Sequence, residues 1–371
     1  MKYKIAHSLK EIEPAAWNAL AGDDNPFIQY DFLYALETGD CLDRFGWYPR
    51  YLLVTSDTDE LIGASPAYIK SNSYGELVFD WAWADAYERS GLSYYPKLVV
   101  AIPYTPATGP RLLAKDNNAD VKRALVSFAI ELARQEKLSS VHWLFNDAQD
   151  TNIEAEMGLL QRFDYQFHWH NHNYRNFDDF LATLNSKKRK NIKRERRRVK
   201  EAGIDIRIYH GDELDEQQWQ QVYSFYTITY MKKYGHATLS LAFFKAIASR
   251  VLAILAWDGE RPVAGAICIL GKDILYGRHW GCYEDYDSLH FEVCYYTGID
   301  YCIQHGIQTF EPGAQGEHKI ARGFLPTRTW SSHWIADERF RQIIQDHVKR
   351  EANAMEDYGE ELHQASPYKD G

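Results

Sequence analysis

The chain has 371 residues, of which 45% are hydrophobic, 25% charged and 15% aromatic, with a net charge of −10. That length suits two domains rather than one, and the composition gives each an apolar core. It excludes helical membrane spans, since no apolar run nears the roughly 20 residues a span needs, and the acidic balance disfavours generic nucleic-acid affinity.

No basic-then-apolar leader opens the chain, so no secretory signal is expected. The cysteines, Cys41, Cys268, Cys282, Cys294 and Cys302, show neither CxxC pairing nor metal-type spacing. Such scattered thiols suit a reduced, cytoplasmic protein. In chain order, residues 51–55, 61–69 and 77–83 read as three strands separated by turns at 57–60 and 71–73. Residues 121–135 have the periodicity of an amphipathic helix and 140–145 that of a strand. Residues 166–171 read as a strand with His168, His170 and His172 on one face. No second ligand cluster supports a metal there, and a polar strand lining a cleft between domains is the expectation.

Residues 177–184 look helical and run, with Asn185 and Ser186 as caps, into KKRKNIKRERRRVK at 187–200. This run holds ten basic residues and one acidic residue on an otherwise acidic body. Lys187, Lys188, Arg189, Lys190, Arg194, Arg196, Arg197 and Arg198 are therefore candidates for contact with tRNA, other phosphates or an anionic lipid surface. A solvated helix docked on the acidic body is the alternative.

The second half repeats the order of the first. Strands are expected at 251–257, 263–270 and 274–281, with Asp258-Gly259 as a hairpin turn. A helix follows over 290–304, ended by Gly306, and a strand over 307–310. The shared order, roughly 200 residues apart, indicates duplication. The fold class is α+β: two tandem domains, each a mostly antiparallel sheet flanked by helices. Their expected spans are 1–185 and 203–355, with a basic helical linker at 186–202 and a flexible tail at 356–371.

Chemistry concentrates after the last strand, in FEPGAQGEHKIARG at 310–323. Glu311, Glu317 and His318 are candidate acid–base groups, and Lys319, Arg322 and the turn N–H groups around Gly313 and Gly316 could hold a carbonyl or phosphate. On the strand at 274–281, alternation puts Tyr276, Arg278 and Trp280 on one face and Leu275 and His279 on the other. Arg278, His279, Glu292, Trp280 and His170 complete the candidate site. The loop at 282–288 carries Glu284, Asp285 and Asp287 and no glycine, which disfavours a pyrophosphate there. There is no GxSxG, Walker A or HExxH motif, so no covalent nucleophile and no metal is indicated.

Several motifs resemble the FemAB-like predicted N-acyltransferases. They are FDWAWADAYERSGLSYYPKL (79–98), PYTPATGPRLL (103–113), FHWHN (167–171), the basic run, YGRHWG (276–281), LHFEVCYY (289–296) and FEPGAQGEHKIARGF (310–324). The resemblance implies tandem GNAT-type acyltransferase domains. It implies transfer of an acyl or aminoacyl group to an amine, with an acyl donor entering where the sheet splays beside Glu311. In the Fem branch the donor is an aminoacyl-tRNA and the acceptor a peptidoglycan precursor; ordinary GNAT enzymes use acyl-CoA. This chain lacks the coiled-coil arm of some Fem enzymes. The expected enzyme is thus an acyltransferase with no firmly bound cofactor, cytoplasmic or peripheral at the inner face of the membrane. The alternatives are a coenzyme A-dependent GNAT N-acetyltransferase and a non-catalytic RNA- or lipid-binding adaptor.

Overall fold

A computed structural model describes residues 1–284, 286–314 and 316–369, and all of these side chains save those of 233 and 234. The chain divides into two units, residues 1–164 with 328–358, and residues 165–327 with 359–371.

Unit 1 begins with β1 (Lys2–Ala6), α1 (Pro14–Ala21), α2 (Tyr30–Thr38), β2 (Trp47–Pro49), β3 (Tyr51–Thr55), β4 (Leu61–Ser65) and β5 (Ala67–Lys70). It continues with α3 (Trp81–Arg89), β6 (Lys97–Val100), β7 (Leu113–Ala114), α4 (Ala119–Gln135), β8 (Ser140–Asn146) and α5 (Ala148–Glu156). β1, β3, β4 and β7 make one antiparallel sheet. β2, β5 and β6 are antiparallel neighbours, and β6 pairs in parallel with β8. The helix α4 supplies the crossover that a parallel pair requires. Its apolar stripe, Val126, Ala129 and Ala133 among others, is buried with Leu52, Val54, Val141 and Trp143 in one core.

Unit 2 takes up residues 165–170 of β9 (Leu160–His170), then α6 (Phe177–Thr183), α7 (Ser186–Glu201), β10 (Ile204–His210), α8 (Glu216–Tyr234) and α9 (Leu241–Ala246). β11 (Val251–Asp258), β12 (Arg261–Leu270) and β13 (Ile274–Cys282) follow, then α10 (Leu289–Phe291), a π-turn at Glu292–Tyr296, α11 (Thr297–His305) and β14 (Thr309–Glu311). Strands β10 to β13 are consecutively antiparallel, β13 and β14 are parallel, and β14 is antiparallel to β9. A 3-10 turn, Glu317–Arg322, leads to β15 (Leu325–Ile335), whose residues 330–335 pair antiparallel with β8 in unit 1, and to α12 (Glu338–Gln364). Each unit is α+β, with an antiparallel sheet and one helix-linked parallel pair.

Several expectations need correction. Residues 77–83 are not a strand: α3 starts at Trp81, and Trp83 and Tyr87, four apart, are its buried positions. Helical spacing thus outweighs the local alternation. The single strand expected at 61–69 is split at Pro66, which has no N–H for a ladder. The units are not consecutive spans: residues 165–185 and the helix α7 belong to unit 2, and 328–355 to unit 1. The helix α7 is thus a component of unit 2 instead of a linker. Residues 356–364 are the last turns of α12, and Tyr368 donates to the Gly323 carbonyl at 2.7 Å, so the described residues 356–369 are folded.

Candidate active site

The ladder between β13 and β14 has three pairs: Ile274 with Thr309, Leu275 with Phe310, and Tyr276 with Glu311. There it stops, while β13 runs on to Cys282 in its antiparallel ladder with β12. Glu311 therefore stands where two parallel strands part, at their C-terminal end, which is where open parallel sheets bind ligands. Phe310 seats the strand from behind: a Cβ on Gly298 would meet its ring at 2.4 Å, so α11 lies close against it.

Glu311 is 8% exposed. Burial pushes its carboxyl up to about 8, and the Arg278 guanidinium offsets only part of this. The register of β14 on β9, Thr309 with His170 and Phe310 with Trp169, brings His168 beside Glu311, its Nδ1 3.8 Å from Oε1. Burial, helped by His170 and Lys319, holds His168 down at about 3, so this imidazole is neutral. It is His168, rather than His170, that neighbours the carboxylate; His170 is exposed and lies 3.3 Å from Thr309 Oγ1.

Arg278 is the extra residue of a β-bulge, since His279 pairs with Ile267 and Gly277 with Cys268. Bulges re-aim side chains beside active sites. This one also shifts the phase of β13. Leu275 is in register with Phe310, on the α11 side, whereas His279 packs against Tyr226 and Tyr230 of α8 and Phe244 of α9. The expected sharing of a face by Leu275 and His279 fails for that reason. Burial holds His279 well below its usual range, and its Nδ1 has no hydrogen-bond partner among the described residues. The ring is a neutral packing element of the β13–α8 contact. Trp280 meets His290.

The loop after Glu311 needs its glycines. Gly313 and Gly316 have φ of 94° and 115°, and a Cβ on Gly316 would stand 2.5 Å from the His318 ring. His318 is exposed and its Nε2 is 2.8 Å from Tyr295 Oη. Burial, then Arg322 and Lys319, keep it below its usual pKa. Lys319 is buried and donates to the Gly313 carbonyl at 2.6 Å; burial lowers it to about 8. Arg322 is committed to the protein: it donates to His318 O at 2.8 Å and to Glu195 at 2.9 Å, and its guanidinium lies 3.4 Å from the Phe291 ring centroid. Glu317 is exposed. Gln315 in this loop and Asp285 in the preceding one lie outside the described residues.

The helix α7 is capped by Asn185, which accepts from Lys188 N, and buries Ile192 and Val199. The one acid of the basic run, Glu195, turns inward to accept from Arg322 and from Tyr296 Oη. Arg196 pairs with Glu292 at 3.0 Å and Asp300 at 3.7 Å, and Arg198 with Asp287 at 2.7 Å. Glu292 is thereby tied to α7. Lys187, Lys190, Arg194 and Arg197, at helical spacing on one face, are exposed, and Lys188 and Arg189 are half-buried. Sequence reasoning missed Glu195, Tyr295 and Tyr296, and it named His170 of β9 without its neighbour His168, the histidine beside Glu311.

Unit 1 has no such parting. Beyond its parallel pairs, which end at Val100 with Trp143, Gly109 bridges Asn146 in the same parallel sense. Arg111, wholly buried, donates to the carbonyls of Leu144 and Ala107 at 2.9 and 2.7 Å. The segment that follows β6 thus fills the place that lies open in unit 2.

At the level of sequence families, a FemAB-like profile, described as peptidoglycan biosynthesis/recognition, matches residues 8–370. The chain belongs to the FemAB-like family. That membership makes it an enzyme of the acyl- or aminoacyl-transferase class. No curated protein matches the sequence. Among solved structures, FemX is similar at 12% identity and TM-score 0.55, covering 93% of this chain and 100% of its own. The C-terminal domain of a putative lysylphosphatidylglycerol synthetase from Agrobacterium fabrum is similar at 10% identity and TM-score 0.52, covering 90% and 95%. L-PGS from Bacillus licheniformis is similar at 10% identity and TM-score 0.51, covering 89% and 98%. These are likenesses of fold, and the fold is that of tandem GNAT-like units. Among the described residues no helix is long and apolar enough to cross a membrane.

Proposed function

We propose that this FemAB-like enzyme moves an acyl or aminoacyl group from an activated donor to an amine acceptor, such as a cell-envelope precursor, at the cytoplasmic side. The supporting observation is Glu311, a buried carboxyl with a pKa near 8 at the point where β13 and β14 part. A base of that pKa is matched to stripping a proton from an attacking ammonium or from the tetrahedral intermediate. His318, neutral and bonded to Tyr295, is the second candidate for that proton. Lys319 gives one of its three donors to Gly313 and keeps two for an oxyanion, alongside the N–H groups of the glycine turn. Arg322, Glu292 and Glu195 position these groups.

For the donor, the loop at 282–288 before α10 has no glycine to bring backbone N–H groups onto a pyrophosphate, which favours aminoacyl-tRNA over an acyl-CoA thioester. The exposed face of α7 would meet tRNA phosphates. Thermal unfolding with each donor in turn tests this: a ligand at about 100 times its Kd adds roughly 2.7 kcal/mol. Stabilisation by charged tRNA alone supports the reading. Stabilisation by acyl-CoA alone reassigns the donor, and silence with both overturns the donor assignment.

A further inference from the structure

The segment 73–82 of unit 1 is inside out. Glu76 and Asp80 are each 3% exposed, while Tyr74, Leu77, Phe79 and Trp81 are 67%, 38%, 53% and 41% exposed. Ordinary surfaces do the reverse, since acids are almost never fully buried unless paired. Here the pairing is supplied by Lys97, wholly buried, which ion-pairs with Glu76 at 2.8 Å and with Asp80, and donates to Ser73 Oγ at 2.9 Å. Tyr94 Oη donates to Asp80 at 2.6 Å. Arg162 holds the Phe79 carbonyl at 2.7 Å, and Leu77 has a φ of 63°, which a leucine rarely adopts. The Tyr74 and Trp81 rings lie 5.0 Å apart. The fold thus draws both acids inward and braces the apolar side chains outward, and no exposed side chain from 73 to 84 is charged.

We propose that residues 74–81 are an interfacial anchor, placing Tyr74, Leu77, Phe79 and Trp81 at the headgroup–acyl boundary of a phospholipid bilayer. Two considerations choose the bilayer over a protein. Three half-exposed aromatic side chains of about 150–250 Å² each offer roughly 300 Å², well short of the roughly 800 Å² per partner that a stable protein interface buries. The absence of exposed charge in the segment also matches a neutral interface, where Trp and Tyr are favoured, and calls for no anionic lipid. The proposal is independent of the site in unit 2, so substitutions at Glu311 should leave it unchanged.

The test is co-sedimentation of the full chain with phosphatidylcholine vesicles at high salt, which silences the basic face of α7. The intact protein is expected to partition to vesicles, and the double variant Phe79→Ser/Trp81→Ser to lose at least tenfold in partitioning, with an unchanged thermal midpoint. Should that variant fold poorly, quenching by brominated lipid replaces it: Trp81→Phe should remove most of the quenchable tryptophan fluorescence. Equal partitioning of both proteins, or binding that requires anionic lipid and vanishes in salt, overturns the proposal. So does loss of self-association in the double variant without any vesicle binding, which would give the patch to a second copy of the chain.

Discussion

The two units bury charge beside the same structural feature, a parallel strand pair joined through a helix, and they do so differently. In unit 1 one such cluster, Lys97 with Glu76 and Asp80, lies at the N-terminal end of the pair. Lys97 is the first residue of β6, and it answers two carboxylates at once. Burial pushes Asp80 up, but Lys97 more than reverses it, to about 2, while burial leaves Glu76 at about 7. In unit 2 the charge lies at the C-terminal end, where the strands part. Glu311 has a neutral imidazole on one side and a guanidinium that only partly offsets its burial. A matched network holds a fold in place, whereas an unmatched carboxyl is held ready to change its proton. On the proposed reading, the Lys97 cluster is architecture and Glu311 is chemistry.

Substitutions can break that contrast, the largest effect first. Glu311→Gln is expected to lower turnover by about 10²- to 10⁴-fold while the protein stays folded, as initial rates and circular dichroism would show. Lys97→Met should do the opposite: it strands two buried carboxylates and costs about 3–5 kcal/mol in denaturant unfolding, with turnover per folded molecule preserved. A rate loss for Lys97→Met in fully folded protein would erase the distinction.

Glu311 also makes a signed prediction about stability. Its folded pKa, about 8, lies above its ordinary 4.5, so the folded state holds a proton that the unfolded state releases between those values. Its contribution is fully present below about pH 4.5 and is lost as pH rises through 8. Glu311→Gln should therefore stabilise the protein at pH 9, by an amount on the order of 2–4 kcal/mol, and change little at pH 4.5. Equal effects at both pH values would contradict the buried-carboxyl reading. The smallest effect concerns α7: converting Lys187, Lys190, Arg194 and Arg197 to Gln should flatten the salt dependence of tRNA binding by about one unit of slope per lost contact. An unchanged slope removes that face from the interface.

What was legible in the sequence had short range. The strands β11 to β13, the helix α4 and the loop from Glu311 to Gly323 could be read because their periodicity or their density of unlike groups is contiguous. The α3 segment was misread because Leu77, Phe79, Trp81 and Trp83 alternate like a strand, while the helical spacing of Trp83 and Tyr87 decides the structure. The neighbour of Glu311 could not be read at all: choosing His168 over His170 requires the register of β14 on β9, residues about 140 apart in the chain. The same holds for Glu195, one acid in a basic run, whose role appears only when α7 docks on Arg322 and Tyr296. The bulge at Arg278 is a tertiary event that reverses which face His279 serves.

The most direct measurement of the central claim is the pH dependence of kcat/KM for the protein and for Glu311→Gln. The account predicts a rising limb of unit slope that bends near pH 8 as the Glu311 carboxyl ionises, and a fall above it as Lys319, also near 8, loses its charge. In Glu311→Gln the residual activity should lose the rising limb and keep the fall. A rising limb that survives unaltered in Glu311→Gln would contradict the account, because the proton would then be taken by another group.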